Sequence, residues 1–276
     1  MSDTSQVRDT TRVQDYRRSL ERSRQSLGRA DRPSVFRLAG REWDLLDEVF
    51  APVYSPSTAV ALDFLGLTGP TDLTGPADLT GSTDLAGSTD LAGSTAPGDD
   101  RAHRGSFLEI GCGTGVIAVT AALAGHGPVV ASDINSRAVR NAAVNARRHD
   151  VTDRVRTVHG DLFAGLGDDE RFDTVFWSSN YVLGPDHYQY ESDHERAYVD
   201  AGYQSHRRYL EQAPHRTAPG GRALLHFSSR GDYPYLKRIA AETGRELRLL
   251  GSCPVREGEY GDDLVEHLLL QILTTD

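Results

Sequence analysis

Phe107-Leu108-Glu109-Ile110-Gly111-Cys112-Gly113-Thr114-Gly115 decides how the rest of the chain is read. Apolar residues run into an acidic one, and glycine then falls at every second position. Val116-Ile117-Ala118-Val119-Thr120-Ala121-Ala122-Leu123 follows at once, apolar and alanine-rich. This is the pattern of a strand, a tight turn and the start of a helix. The glycines permit the sharp bend and let bare backbone approach a ligand closely. A nucleotide-like ligand is the expected occupant. Cys112, inside the turn, reads as a small filler rather than a reactive thiol.

Outward from the turn, strand and helix alternate. Strands are expected over 106–110, 128–132, 154–158, 172–177 and 222–227. Helices are expected over 114–125, 136–149, 193–213 and 233–243, the third stopping before Pro219-Gly220-Gly221. Strands over 246–250 and 264–273 have no helix between them, so a terminal antiparallel hairpin should follow. Such alternation with apolar strands predicts an α/β fold whose mostly parallel sheet is covered on both faces.

Three regions are expected: a helical and hairpin extension over 1–66, an insertion over 67–104, and the ligand-binding domain over 105–276. Val13, Tyr16, Leu20 and Leu27 keep helical spacing within 11–28. That fits a helix packed on the domain, one joining two copies in a homodimer, or a loose tail. A hairpin is expected over 35–38 and 43–46. A helix over 58–65, with Ser57 as its N-cap, would cover the ligand edge and let Tyr54 or Ser57 touch the ligand. Residues 67–96 repeat with period six, as in Leu67-Thr68-Gly69-Pro70-Thr71-Asp72. One leucine per repeat buries too little surface to offset ordering entropy, so a flexible insertion is expected.

The formal net charge of −10 offers no global basic field, which disfavours nucleic acid as a partner. Two cysteines make neither a disulfide framework nor a CxxC metal site, and no bound metal is expected. No apolar run is long enough to span a membrane, and residues 1–6 do not begin a signal peptide. A soluble, cytoplasmic chain is the expectation.

The spacing Gly111-x-Gly113-x-Gly115, preceded by Glu109, differs from the dinucleotide fingerprint G-x-G-x-x-G. It resembles motif I of the class I S-adenosylmethionine-dependent methyltransferases. That resemblance implies a Rossmann-like, seven-stranded sheet and S-adenosylmethionine as cofactor, held by Glu109, Gly111, Cys112, Gly113 and Gly115. Asp133, ending the second strand, is then placed to accept from the ribose hydroxyls, with Ile134 packed on adenine. Asp161, in Gly160-Asp161-Leu162, is placed to accept from the adenine amine, and Leu162 and Ser178 complete the expected cofactor contacts.

Asp133-Ile-Asn-Ser-Arg-Ala-Val-Arg-Asn-Ala-Ala-Val-Asn-Ala and Gly160-Asp161-Leu162-Phe163 narrow the likeness. They resemble the release-factor glutamine and ribosomal-RNA guanine N-methyltransferases, over roughly 105–230. Where that branch has Asn-Pro-Pro-Tyr, this chain has Ser178-Ser179-Asn180-Tyr181. Tyr181 survives, but the rigid turn that grips a flat amide does not. Methyl transfer is therefore better supported than the branch's own substrates. Ser178, Asn180 and Tyr181 are the candidates for orienting the nucleophile. The polar stretch 184–194 reads as a substrate lid carrying His187, Tyr190 and His194, or as a plain surface loop.

The expected activity is N-methylation of a small molecule. Three alternatives stay open: methylation of a protein or peptide side chain, O-methylation of a small molecule, and cofactor binding without catalysis. A groove built from residues 1–50 would favour the first, and a histidine beside the methyl position the second.

Overall fold

The computed structural model describes residues 3–68, 104–257 and 263–275, with side chains from Tyr16 onward. The extension begins with α1 (Asp3–Gly28) and the hairpin β1 (Val35–Leu38) and β2 (Arg41–Asp44). A 3-10 turn over Pro52–Tyr54 leads into α2 (Ser57–Phe64). Pro56, not Ser57, occupies the N-cap of α2. The expected cap fails because the preceding proline already has the φ near −65° that a helix entry needs. The hexapeptide repeat lies, from Gly69 on, outside the described residues.

The domain follows as β3 (Phe107–Ile110), α3 (Val116–Leu123), β4 (Val129–Asp133), α4 (Ser136–Arg148), β5 (Val155–His159) and β6 (Phe172–Ser178). Two short strands, β7 (Leu183–Gly184) and β8 (Asp200–Ala201), pair with each other ahead of α5 (Gln204–Gln212). β9 (Thr217–Ser228), α6 (Tyr233–Glu242), β10 (Arg245–Glu257) and β11 (Asp263–Thr274) close the chain. Seven strands form one sheet in the order β10-β11-β9-β6-β3-β4-β5. β9, β6, β3, β4 and β5 run parallel, and β11 is antiparallel to both β9 and β10. The chain works outward from β3 to β5, then returns to the other side of β3 as β6. Ligands in open α/β sheets bind at such a reversal, beyond the carboxyl ends of the strands. The glycine turn after β3 and Ser178 at the end of β6 both open onto it.

One expected helix is interrupted. The region 193–213 is a 3-10 turn (Asp193–Ala197), β8 and α5. Gly202 and Tyr203 take left-handed φ values of 59° and 53°, which no continuing helix allows. The Asp200 carboxylate then accepts from Ser205 N–H and His206 N–H, satisfying the first turn of α5. Pro219-Gly220-Gly221 lies within β9 rather than before it, and the last two strands run longer than their apolar centres suggested.

The core has two halves, one on each face of the sheet. One gathers Trp43, Ala61, Leu62, Val116 and Phe176; the other Trp177, Tyr209, Phe227 and Leu236. α1 joins through Leu20, packed with Val182 and Val199. Three asparagines of the stretch 133–146 fasten the extension to the domain. Asn135 caps α4 through Arg137 N–H and donates to Glu48 O. Asn141 accepts from Leu46 N–H and donates to Asp44 O. Asn145 accepts from Asp44 N–H and donates to Asp44 O and Thr114 O, all within 2.8–2.9 Å. Asn141 and Asn145 are fully buried, so these side chains complete backbone groups that water does not reach.

Asn145→Ala takes the side-chain partner from two backbone groups, Asp44 N–H and Thr114 O, while Asp44 O keeps Asn141. We expect it to lower unfolding free energy by about 2–4 kcal/mol in urea titration, whereas replacing exposed Arg140 with Ala should change it little.

Candidate functional site

The glycine turn is shaped by two carboxylates from the strands beside it. Glu109, on β3 and 2% exposed, accepts from Ala118 N–H at 2.8 Å. Gly115, at the N-cap of α3, has no side chain to cap with, so Glu109 supplies the acceptor from across the turn. Burial pushes its carboxyl well above the usual carboxylate range. Asp133, at the end of β4, accepts from Gly113 N–H at 2.9 Å and Asn135 N–H at 2.8 Å. Gly111, Gly113 and Gly115 all have positive φ. A Cβ on Gly115 would meet Ala142 at 2.7 Å, whereas nothing lies within 4 Å of one built on Gly113. The first glycine seats α3 on α4; the second leaves bare backbone facing open space.

That space is a cleft of about 2420 Å³. Glu109, Gly111, Cys112, Gly113, Asp133 and Ile134 line one end. Cys112 is buried, and burial pushes its thiol well up, which suits a filler. Burial raises Asp133 to about 6, against the lowering effect of its two N–H partners. Each of its oxygens keeps a lone pair beyond those bonds, as the hydroxyls of a ribose require. Asp161 and Leu162 also line the cleft. The Asp161 carboxylate is bound in a bidentate ion pair by Arg208 at 2.7 and 3.0 Å, a partner not foreseen from sequence.

Ser178, Ser179, Asn180 and Tyr181, ending and following the neighbouring strand β6, line the same cleft. Ser178 Oγ lies 3.0 Å from His226 Nδ1. Ser179 Oγ donates to His226 O. Asn180 Nδ2 donates to Arg196 O and Val199 O, which fixes its amide orientation and leaves Oδ1 buried without a partner. Burial raises the Tyr181 hydroxyl to about 12.

The stretch 184–194 divides. Tyr190 lines the cleft, its hydroxyl donating to Val199 O and accepting from Ala201 N–H. His194 lines it too, but is buried, with Nδ1 held 2.7 Å from Ser23 Oγ of α1. Burial, then Arg32, lowers it to about 4, so it serves as a neutral strut for α1. His187 is exposed on the loop and does not line the cleft. Tyr54 and Ser57 are in the wall.

Several wall residues had no sequence signal of a role. Arg22 of α1 lines the cleft, and burial and then Arg230 depress its guanidinium. His226 and His267, both fully buried, stand in apolar strands. A lone histidine among leucines was their only mark, and their adjacency depends on the register of β9 with β11. Among the described residues, no helix is long and apolar enough to cross a membrane, and no His, Cys, Asp and Glu cluster could hold a metal.

The strand order, the single antiparallel strand and a glycine turn after the central strand define the fold of a class I methyltransferase. Residues 107–195 match a family model described as a methyltransferase domain. A ribosomal protein L11 methyltransferase of Pelotomaculum thermopropionicum is 48% identical over 58 residues, 21% of this chain and 19% of that one. A bifunctional methyltransferase of Rickettsia felis is 29% identical over 126 residues, 43% of this chain and 24% of that one. The chain thus spans between about a fifth and a quarter of the length of these relatives. Trm5b from Pyrococcus abyssi superposes with a TM-score of 0.51 at 15% identity, over 86% of this chain and 55% of that one, a likeness of fold.

S-adenosylmethionine is the cofactor this domain implies, and the residues present fit it. Gly113 offers open backbone, and Asp133 offers a half-buried acceptor pair. We expect S-adenosylhomocysteine to bind by calorimetry, and Asp133→Ala to weaken it at least about tenfold. The ionised carboxylate is the accepting form. Affinity should therefore hold above about pH 7 and fall as pH drops through about 6, with protons released on binding near that pH.

Proposed function

We propose that the chain is an S-adenosylmethionine-dependent methyltransferase acting on a small molecule. The observation that carries this reading is a single cleft lined both by the glycine turn with Asp133 and by Ser178–Tyr181. When bound, the cofactor supplies a methyl group on a sulfonium: transfer breaks the carbon–sulfur bond, leaves its electron pair on sulfur, and forms one bond to the acceptor. The protein's share of such a reaction is alignment and exclusion of water. Glu109, the glycine turn, Asp133 and Ile134 would hold the nucleoside part, with Asp161 and Leu162 at the adenine end. Ser178, Asn180 and Tyr181 would face the acceptor.

A second reading, methylation of a peptide side chain, draws on the cleft's size and lining. Its volume exceeds the roughly 300–1,000 Å³ of a single small-molecule site, and cofactor plus acceptor need more than one such volume. Ser26 of α1, Arg29 just after it and Leu38 of the hairpin also line it, a groove built within residues 1–50. The printed activity of the relatives, methylation of ribosomal protein L11, points the same way.

Labelled-methyl transfer from S-adenosylmethionine to a panel of amines, phenols, amino acids and short peptides separates these readings. The expected result is label in a small acceptor, inhibited by S-adenosylhomocysteine. Label in peptides alone would favour the second reading. Preference for a nicotinamide cofactor, with no binding of S-adenosylhomocysteine, would overturn both.

A further inference from the structure

A file of polar side chains runs across four strands behind the cleft wall, with Ser178 at one end and Glu257 at the other both lining the cleft. Ser178 Oγ is 3.0 Å from His226 Nδ1, His226 Nε2 is 2.9 Å from His267 Nδ1, and His267 Nε2 is 3.0 Å from Glu257 Oε1. Arg230 Nε donates to Glu257 Oε2 at 3.0 Å and its Nη2 to Asp263. Both imidazoles are fully buried, and the four links come from four strands: β6, β9, β11 and β10. We propose that Ser178, His226, His267 and Glu257 form a proton relay serving a hydroxyl acceptor, which makes phenols or alcohols the substrate class. This rests on the methyl-transfer reading above.

The direction of the file follows from its far end. Burial pushes the Glu257 carboxyl up, but the hydrogen bond from His267 and the charge of Arg230 outweigh it and hold it below the usual range. An ionised carboxylate only accepts, so His267 presents Nε2–H to it; in the relay His267 is neutral and its Nδ1 accepts. His226 must then donate from Nε2, and its Nδ1 in turn accepts from Ser178. Burial lowers His226 well below its ordinary value, so its ring stays neutral through mildly acidic pH. The Ser178 hydroxyl thus spends its single proton inward and keeps oxygen lone pairs for the cleft.

A hydroxyl is a poor nucleophile until its proton leaves, whereas a neutral amine already has its lone pair. As the acceptor oxygen bonds to the methyl carbon, its proton passes to Ser178 Oγ, and the serine's own proton passes to His226 Nδ1. The positive charge that develops on the imidazole is stabilised by the Glu257 carboxylate through His267. Once product leaves, that proton returns to solvent through Ser178. The surrounding charges are few: Arg230 and Asp263 at Glu257, Arg22 of α1 nearby, and the Tyr181 ring against His267. The other wall around His226 is the Phe64 ring of α2.

Two measurements on the full chain test this. Nitrogen-15 NMR of histidine-labelled protein should show His226 and His267 as neutral Nε2–H imidazoles at neutral pH, and Glu257→Gln should shift the signals of both. Either ring protonated on Nδ1 would overturn the relay, whatever the activity. In labelled-methyl transfer to phenols and primary amines at saturating S-adenosylmethionine, Ser178→Ala and Glu257→Gln should each slow phenol methylation about 100-fold or more. The residual rate should rise with pH, as hydroxide takes over the proton. Wild-type rate and pH profile in either variant, or transfer confined to amines, would overturn it. Glu257→Gln preserves an acceptor for His267, so a merely structural role predicts unchanged kinetics. Failure of the wild-type chain to bind S-adenosylhomocysteine would remove the methyl-transfer reading while the NMR result still stands, so the two failures are told apart.

Discussion

The turn at Gly111–Gly115 holds its shape because two carboxylates, Glu109 buried and Asp133 half-buried, accept its backbone N–H groups and those of the helix it starts. Glu109 takes Ala118 N–H and Asp133 takes Gly113 N–H. Neither carboxylate is neutralised by a basic partner; both are pushed upward by burial. For Asp133 the folded value of about 6 lies above the ordinary 3.8. The folded chain therefore binds more protons than the unfolded chain between those values, and this group's contribution to stability falls as pH rises through that window. At neutral pH the charge costs the empty fold about 3 kcal/mol at most. Two hydroxyl donors on a bound ribose would offset that cost, so the strain and the binding reside in the same atoms.

The extension completes this arrangement rather than accompanying it. Asn135, Asn141 and Asn145 reach from α4 to residues 44–48 and fix the path of the chain leading to α2. α1 lies on the opposite wall, tied by Ser19 to Tyr198 O and by Ser23 to His194. The cleft is thus walled by the sheet's carboxyl edge on one side and by residues 19–64 on the other. Asn135 and Asn145 fall on fixed positions of the motif that 133–146 resembles and Asn141 does not, but the use of all three is tertiary: they complete the backbone of a segment some 100 residues away.

The fold was legible because its signals are local. Buried parallel strands such as Phe107–Ile110 and Phe172–Trp177 are continuous apolar runs, and the glycine turn can sit only between a strand and a helix. The errors fell where a local pattern meets a tertiary demand. Helical spacing over 193–213 did not reveal that Asp200 would end a strand and start a helix by accepting N–H bonds. At the site, Asp133 and Ser178 were marked by their position after strands. The Arg208 partner of Asp161, and the neutral, buried role of His194, depend on which surfaces come to face each other, and no spacing encodes that.

The file behind Ser178 is the sharpest case. Leu224, His226 and Ser228 share one face of β9, as His267 and Leu269 share one face of β11, while Leu225, Phe227, Leu268 and Leu270 pack on the other. At the His226 and His267 positions a leucine would satisfy the core, with no polar atom to account for. Burying two imidazoles and a carboxylate is tolerable only if each polar atom finds a partner, and here each of the four imidazole nitrogens does. A network satisfied throughout, yet ending on a hydroxyl in the wall of the cleft, costs stability without adding packing. The orientation of that serine is set from behind, by the histidine 3.0 Å away.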